Sequence, residues 1–153
     1  LWIKSRSDTE QHTLYDSSRG STKRLMSDAT NAEYVNSTQG IQSFNTDGFT
    51  LGENDQNNKS SQNCVAWQWK ANGGTTSSFT ESGSNPGGNY QANTTAGFSI
   101  VTYTGTGSNG TVQHGLSSAP ESFEYITLPA PLTASKNLVP AVSVLFLSTT
   151  RSG

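Results

Sequence analysis

An all-β fold of antiparallel sheets is what this sequence predicts, and three observations lead there. Ser, Thr, Asn and Gly fill 71 of the 153 positions, while charged residues make up only 13%. Ser, Thr and Asn draw the helical backbone into local hydrogen bonds, and each Gly costs a helix up to about 1 kcal/mol, so long helices are disfavoured. The apolar residues come in short runs separated by turn chemistry at intervals of roughly 8 to 12 residues, the pattern of a β-sandwich. Leu, Ile, Val and Phe number 27, a share under the roughly 20% at which disorder becomes a competing reading. Disorder also needs strong self-repulsion, and the formal net charge is only -2. Three Trp, five Tyr and six Phe supply the rest of a core for one domain of ordinary length.

Taken in order, Leu1 to Arg6 reads as a strand that begins without turn or cap, as at an internal starting point. His12 to Asp16 is a second strand, closed by the turn formers Ser17 to Gly20, and Lys23 to Met26 is a third. Asp28 to Tyr34 has room for one helical turn capped by Asp28. Ile41 to Asn45 and Phe49 to Gly52 flank Asp47-Gly48, a pair that accepts positive φ cheaply and therefore marks a hairpin. In Cys64 to Lys70, Val65, Trp67 and Trp69 share one face, which predicts the centre of the core and a cost of about 3 to 5 kcal/mol for Trp67→Ala. Residues 72–95 hold Gly, Ser, Thr and Asn with little to bury and read as a loop or linker. Gly97 to Tyr103 is a strand apolar on both faces, Thr111 to Gln113 a short one, and Phe123 to Leu128 another before the apolar run Leu138 to Leu147. The organisation expected is 1–71 as the main part of a sandwich, 72–95 as linker, and 96–153 as strands that complete it or begin a second module.

The side chains available for chemistry argue against catalysis. His12 and His114 are the only imidazoles, and no G-x-S-x-G elbow presents a nucleophile to either. Cys64 is a lone cysteine, expected to be a small buried hydrophobe, so neither a disulfide nor a Cys-based zinc site is expected. Asp16, Glu33, Asp47, Asp55, Glu81, Glu121 and Glu124 carry no paired-acid motif. Glu53 to Asn58 places oxygen donors at alternate positions, which suits calcium, but lacks the closing Glu of a calcium loop; a solvated polar loop is expected, with calcium the one cofactor worth naming. Nine Lys plus Arg without a cluster, and a pI near 5.6, leave nothing for nucleic acid. The longest apolar run is too short to span a bilayer. Sequons occur at Asn36, Asn58, Asn93 and Asn109. Sugar binding is the remaining site chemistry, with Trp2, Tyr15, Tyr34 and Tyr90 as the rings that can stack on it. No catalytic, metal or ligand residue is assigned beyond these.

Several strings together carry a family resemblance: Trp2-Ile3-Lys4, Leu14 to Gly20, Ser43 to Gly52, Val65 to Lys70, Gly97 to Gly105 and His114-Gly115-Leu116. In this order they resemble a module of marine bacteriophage structural proteins, a concanavalin-A-like jelly roll that recurs in tandem in tail fibres and other virion-surface proteins. The resemblance runs from Leu1 to about Ile126, and residues after Leu128 depart from it. It implies a lectin-like, non-enzymatic module at a virion surface or outside the cell, structural or adhesive, with host glycans and neighbouring copies as partners and no membrane insertion. The family carries no established catalytic or ligand residues. A secreted or cell-surface carbohydrate-binding adhesin of bacteria is the alternative, and a jelly-roll polysaccharide-degrading enzyme the third reading. In the family pattern Phe123 to Ile126 takes the place of Leu1 to Lys4, so the chain is expected to be cut mid-repeat. Either its final strands then complete the first sheet or another chain does.

Overall fold

The computed structural model describes residues 1–120, 122–127 and 141–147, the last two segments as backbone, and the chain is nearly all β, with antiparallel pairing throughout. It divides into two compact units, Leu1–Trp69 and Lys70–Gly153.

In the first unit, strands β1 (Trp2–Ser5), β2 (Thr13–Asp16), β3 (Gly20–Met26), β4 (Tyr34–Val35) and β7 (Cys64–Trp67) form one sheet in the order β4-β3-β2-β1-β7. A separate hairpin is made by β5 (Ile41–Asn45) and β6 (Gly48–Leu51). Because side chains alternate along a strand, Ile3 and Tyr15 emerge on the same face of the sheet, and there they meet Ile41, with Leu1, Phe49 and Leu51 around them. Of these, Ile3 and Ile41 are fully buried aliphatic side chains and each contributes roughly 1.5 to 3 kcal/mol. The hairpin is tied down by the Ser21 hydroxyl, which donates to the Gln42 carbonyl at 2.9 Å. One helical turn, α1 (Asp55–Asn58), is capped by Asn54, whose side chain accepts from the Gln56 N–H. It carries Asn57 into the interior, 3% exposed, where its Nδ2 donates to the Tyr15 hydroxyl at 2.8 Å and its Oδ1 accepts from the Thr13 hydroxyl at 2.6 Å.

In the second unit β8 (Ser77–Phe79), β9 (Gly88–Asn93), β10 (Phe98–Thr104), β11 (Ser122–Thr127) and β12 (Ala141–Leu147) form a sheet in the order β11-β12-β10-β9-β8. Phe98, Ser99, Ile100 and Val101 are all buried, as a strand apolar on both faces should be, and β10 lies in the middle of its sheet. Beside it Gly88 admits no side chain, because a Cβ there would collide with the Thr102 carbonyl and the Phe79 ring.

Several expectations are corrected. The strand Cys64 to Trp67 is at the edge of its sheet: Trp67 is 44% exposed, Cys64 and Ala66 are exposed, Val65 is half-buried, and Trp69 lies beyond the strand's end. Period-two alternation groups residues on a face, but only a covering layer buries that face. Cys64 is accordingly an exposed thiol and no buried hydrophobe. Residues 72–95 are no featureless linker, since they supply β8 and β9, whose Ser and Asn side chains stand outward while Phe79 and Gln91 are buried. Asp28 to Tyr34 forms no helical turn; the Asp28 carboxylate accepts from the His12 N–H at 3.1 Å, and Tyr34 and Val35 pair with Arg24 and Lys23. The hairpin turn is Thr46-Asp47, with Gly48 already paired to Asn45, and neither Asp47 nor Gly48 has positive φ. Thr111 to Gln113 is no strand, because Thr111 spends its N–H and hydroxyl on the Asn85 side chain, at 2.9 and 3.1 Å. Of the two alternatives for completing the first sheet, the final strands are not used among the described residues, since Phe123 to Ile126 pairs with β12; completion by another chain is left untouched by this. Of residues 129–153, whose role the sequence leaves open, only 141–147 are among the described residues, as β12.

Candidate binding site

The register of β1 on β7 sets Trp2 directly opposite Trp67. Side chains at directly opposed positions are close enough to touch, and the two indoles do so with centroids 5.7 Å apart and planes tilted by 59°. This pair stands on the face opposite Ile3 and Tyr15. Trp2 is anchored from its other side: its Nε1–H donates to His12 Nδ1 at 2.9 Å, and the imidazole meets it edge-on at 5.5 Å and 62°. The bond assigns the lone pair to Nδ1 and so, in the neutral ring, the hydrogen to Nε2. His12 is in turn fixed by Asp28 at its main chain. Trp2 is half-buried and held on two sides, whereas Trp67, at 44% exposure, presents ring surface to solvent. A pre-positioned, partly exposed ring is one element that recognition of an amphipathic ligand uses.

The other rings named from the sequence are placed differently. Tyr15 is core, 2% exposed, and burial pushes its phenol pKa up, against the opposing effect of the Asn57 hydrogen bond. Tyr34 is exposed at the sheet edge with the Arg24 guanidinium carbon 5.0 Å from its ring centroid, a cation-π contact. Tyr90, in the second unit, stacks on Phe79 at 6.2 Å. Trp67, expected in the core, instead stands partly exposed at the sheet edge beside Trp2.

Among the described residues the remaining candidates do not gather at one place. His114 is engaged in a turn, its Nδ1 accepting from the Leu116 N–H at 3.1 Å and its carbonyl from the Ser99 hydroxyl at 2.5 Å. Asp16 and Glu33 come together, but around Arg19, whose Nε lies 2.6 Å from Asp16 and whose Nη1 lies 3.0 Å from Glu33, with Lys23 3.6 Å from Glu33. That is a structural ion-pair cluster closing the β2 to β3 turn. Asp47, Asp55 and Glu81 are exposed on separate elements; Glu121 and the side chain of Glu124 lie outside the described residues. In the segment Glu53 to Asn58, Asn54 caps the helix and Asn57 turns inward, so the oxygen donors do not converge as a calcium loop would need. Among the described residues no three His, Cys, Asp or Glu side chains gather as a metal site would require, and no helix is long and apolar enough to cross a membrane. Of the sequon residues, Asn36, Asn58 and Asn93 each donate from their side-chain amides, to Gln39, Gly52 and Lys70; Asn109 is exposed.

One surface pair also stands out. Asp8 accepts from Lys59 at 2.9 Å and from Gln62 and the Thr9 N–H, and these bonds, Lys59 first, hold its carboxyl down to about 2.

Comparison with known proteins adds one match: a family model described as Domain of unknown function (DUF7483) covers residues 1–141. No curated protein and no solved structure matches the chain.

Proposed function

The chain belongs to the DUF7483 family, and we propose that it is a non-enzymatic structural and adhesive module of a virion surface, with a lectin-like jelly-roll architecture, that holds surface glycans on the Trp2–Trp67 platform. The single observation that carries the glycan reading is Trp67: a large ring 44% exposed, braced by a second indole that is itself locked by His12. An exposed indole face can take the C–H face of a pyranose, while the ring margins leave room for hydroxyl contacts. Bracing matters because an immobilised ring loses little side-chain entropy on binding. The virion setting is supported by the resemblance of the strings above to phage surface modules. The partners are host-surface glycans and neighbouring copies of the module.

The test is a glycan array probed with the whole chain and with Trp67→Ala, followed by titration of any hit with tryptophan emission as the readout. Wild type should retain at least one glycan, with a shift in emission, and Trp67→Ala should lose it at least tenfold. Partial exposure limits the structural cost of that substitution to about 2 kcal/mol, below the range for a buried Trp. Retention of every hit by a folded Trp67→Ala protein refutes the platform.

A further inference from the structure

The outer edge of β7 has a hydrogen-bonding phase that can be read from its inner one. Arg6 N–H donates to the Asn63 carbonyl at 2.7 Å, and the register pairs Ser5 with Cys64, Lys4 with Val65, Ile3 with Ala66 and Trp2 with Trp67. In an antiparallel pair, hydrogen-bonded and non-hydrogen-bonded positions alternate. Asn63, Val65 and Trp67 therefore turn their main-chain groups toward β1, and Cys64 and Ala66 turn theirs away. Among the described residues no strand pairs with that side, and none offers a partner there to the four outward groups. The edge also lacks the usual protection. Cys64-Val65-Ala66-Trp67 contains no charge, no Pro and no bulge.

We propose that β7 is a self-pairing edge, by which two copies of this chain join antiparallel across a two-fold axis at Val65. It rests on the reading above only for the kind of partner, and not on the aromatic platform. Of the possible registers, the Val65-centred one alone matches each outward residue to an outward residue inside the partner strand. Cys64 faces Ala66 of the second copy and Ala66 faces its Cys64, giving four main-chain hydrogen bonds. A two-fold centred on Cys64 or on Ala66 would instead set Ala66 against Gln62, or Cys64 against Gln68, both outside the strand. A second copy is favoured as occupant because the edge is neutral and its donor and acceptor pattern is self-complementary under that two-fold. The other edge of the sheet, β4, is only two residues long.

The geometry has two measurable consequences. The two Cys64 residues fall at diagonal positions on one face, about 7 to 8 Å apart, too far for a disulfide without backbone movement. The two Trp67 side chains fall on the opposite face, offset by four residues along the strands and one strand spacing across, roughly 14 Å apart. Each joined pair thus presents two platforms side by side.

Sedimentation of the whole chain across a concentration series tests this, with Ala66→Pro and Cys64→Lys as variants. Proline at 66 removes an N–H that points outward and leaves the β1 ladder intact, a position where edge strands tolerate it. Wild type should reach a dimer, and Ala66→Pro, losing two of the four bonds, should weaken association roughly a hundredfold. Cys64→Lys, which sets two ammonium groups close together, should do likewise. A thiol cross-linker spanning about 8 Å should trap wild-type dimer, while oxidation alone should give little. Wild type that stays monomeric at the highest concentration overturns the proposal. So does a dimer that survives both substitutions, or that forms a ready Cys64 disulfide, or an edge that takes up an added extended peptide in place of a second copy. Loss of glycan binding by Trp67→Ala with dimerisation intact separates the two proposals.

Discussion

Asn57→Ala should destabilise the first unit by about 3 kcal/mol. The amide is 3% exposed and makes two side-chain hydrogen bonds, to the Thr13 hydroxyl at 2.6 Å and the Tyr15 hydroxyl at 2.8 Å. A net hydrogen bond contributes about 0.5 to 1.5 kcal/mol, and a buried polar group left without a partner costs about 1 to 3. Thr13 keeps a second acceptor, the Ile3 carbonyl at 3.3 Å, and the Tyr15 hydroxyl keeps the Arg24 guanidinium, so the cost is the upper end of two lost hydrogen bonds. Tyr15→Phe alone should cost about 1.5 kcal/mol, since it orphans one N–H of the amide instead. The two substitutions share a bond, so the double variant should be about 1 kcal/mol less destabilised than the sum of the singles. All three Trp belong to Leu1–Trp69, so urea denaturation followed by tryptophan emission reports this unit. A loss under about 1 kcal/mol for Asn57→Ala, or strict additivity, would show that the helical turn is not held through this network.

Two further outcomes follow from the same structure. The carboxyl of Asp8 lies near 2 in the folded chain against an ordinary 3.8; because the folded value is the lower, its bonds to Lys59 and Gln62 stabilise the fold above about 3.8, and that contribution is lost as pH falls toward 2. Asp8→Asn should therefore flatten the acid limb of a thermal-melt series in that window, and an unchanged limb would show that the pair contributes nothing. Gly88→Ala should cost the second unit about 3 kcal/mol, since strands β9 and β10 must part to admit a methyl group against Thr102. Amide exchange over 88–104 measures it, and unaltered protection there would contradict the close approach.

How much was legible in the sequence depended on whether the signal was local. The strand Phe98 to Thr104 declares its central position because it is apolar on both faces, and composition alone excluded long helices. Trp67 was misplaced because the periodicity of Cys64 to Trp69 is identical in an edge strand and a central one; what distinguishes them is whether another strand pairs with the far side. The platform itself was invisible. It requires Trp2 to lie across from Trp67, a pairing over 65 positions that no local pattern records, although Trp2 alone was legible as a ring able to meet a sugar. Strands β8 and β9 were hidden for another reason, in that Ser, Asn and Gly write the same composition into a strand and into a linker.

The shortage of aliphatic residues explains both the concealed core and the exposed ring. Interior positions are filled by Ser5, Thr13, Asn57, Gln91 and Ser99 alongside the apolar ones. Such groups can be buried only when bonded, and the bonds run to distant segments: Ser5 to Gln62 at 2.7 Å, Thr13 to Asn57, Gln91 to Thr76 at 3.1 Å, and Ser99 to His114. Each ties a strand to a loop or turn, so the polar loops are part of the packing and counting Leu and Ile underestimates the core. With interiors closed in this way, the largest aromatic side chains need not all be spent inside. Trp67 can remain at an edge, supported by Trp2 and His12, and it is this partly exposed ring on which the proposed glycan site rests.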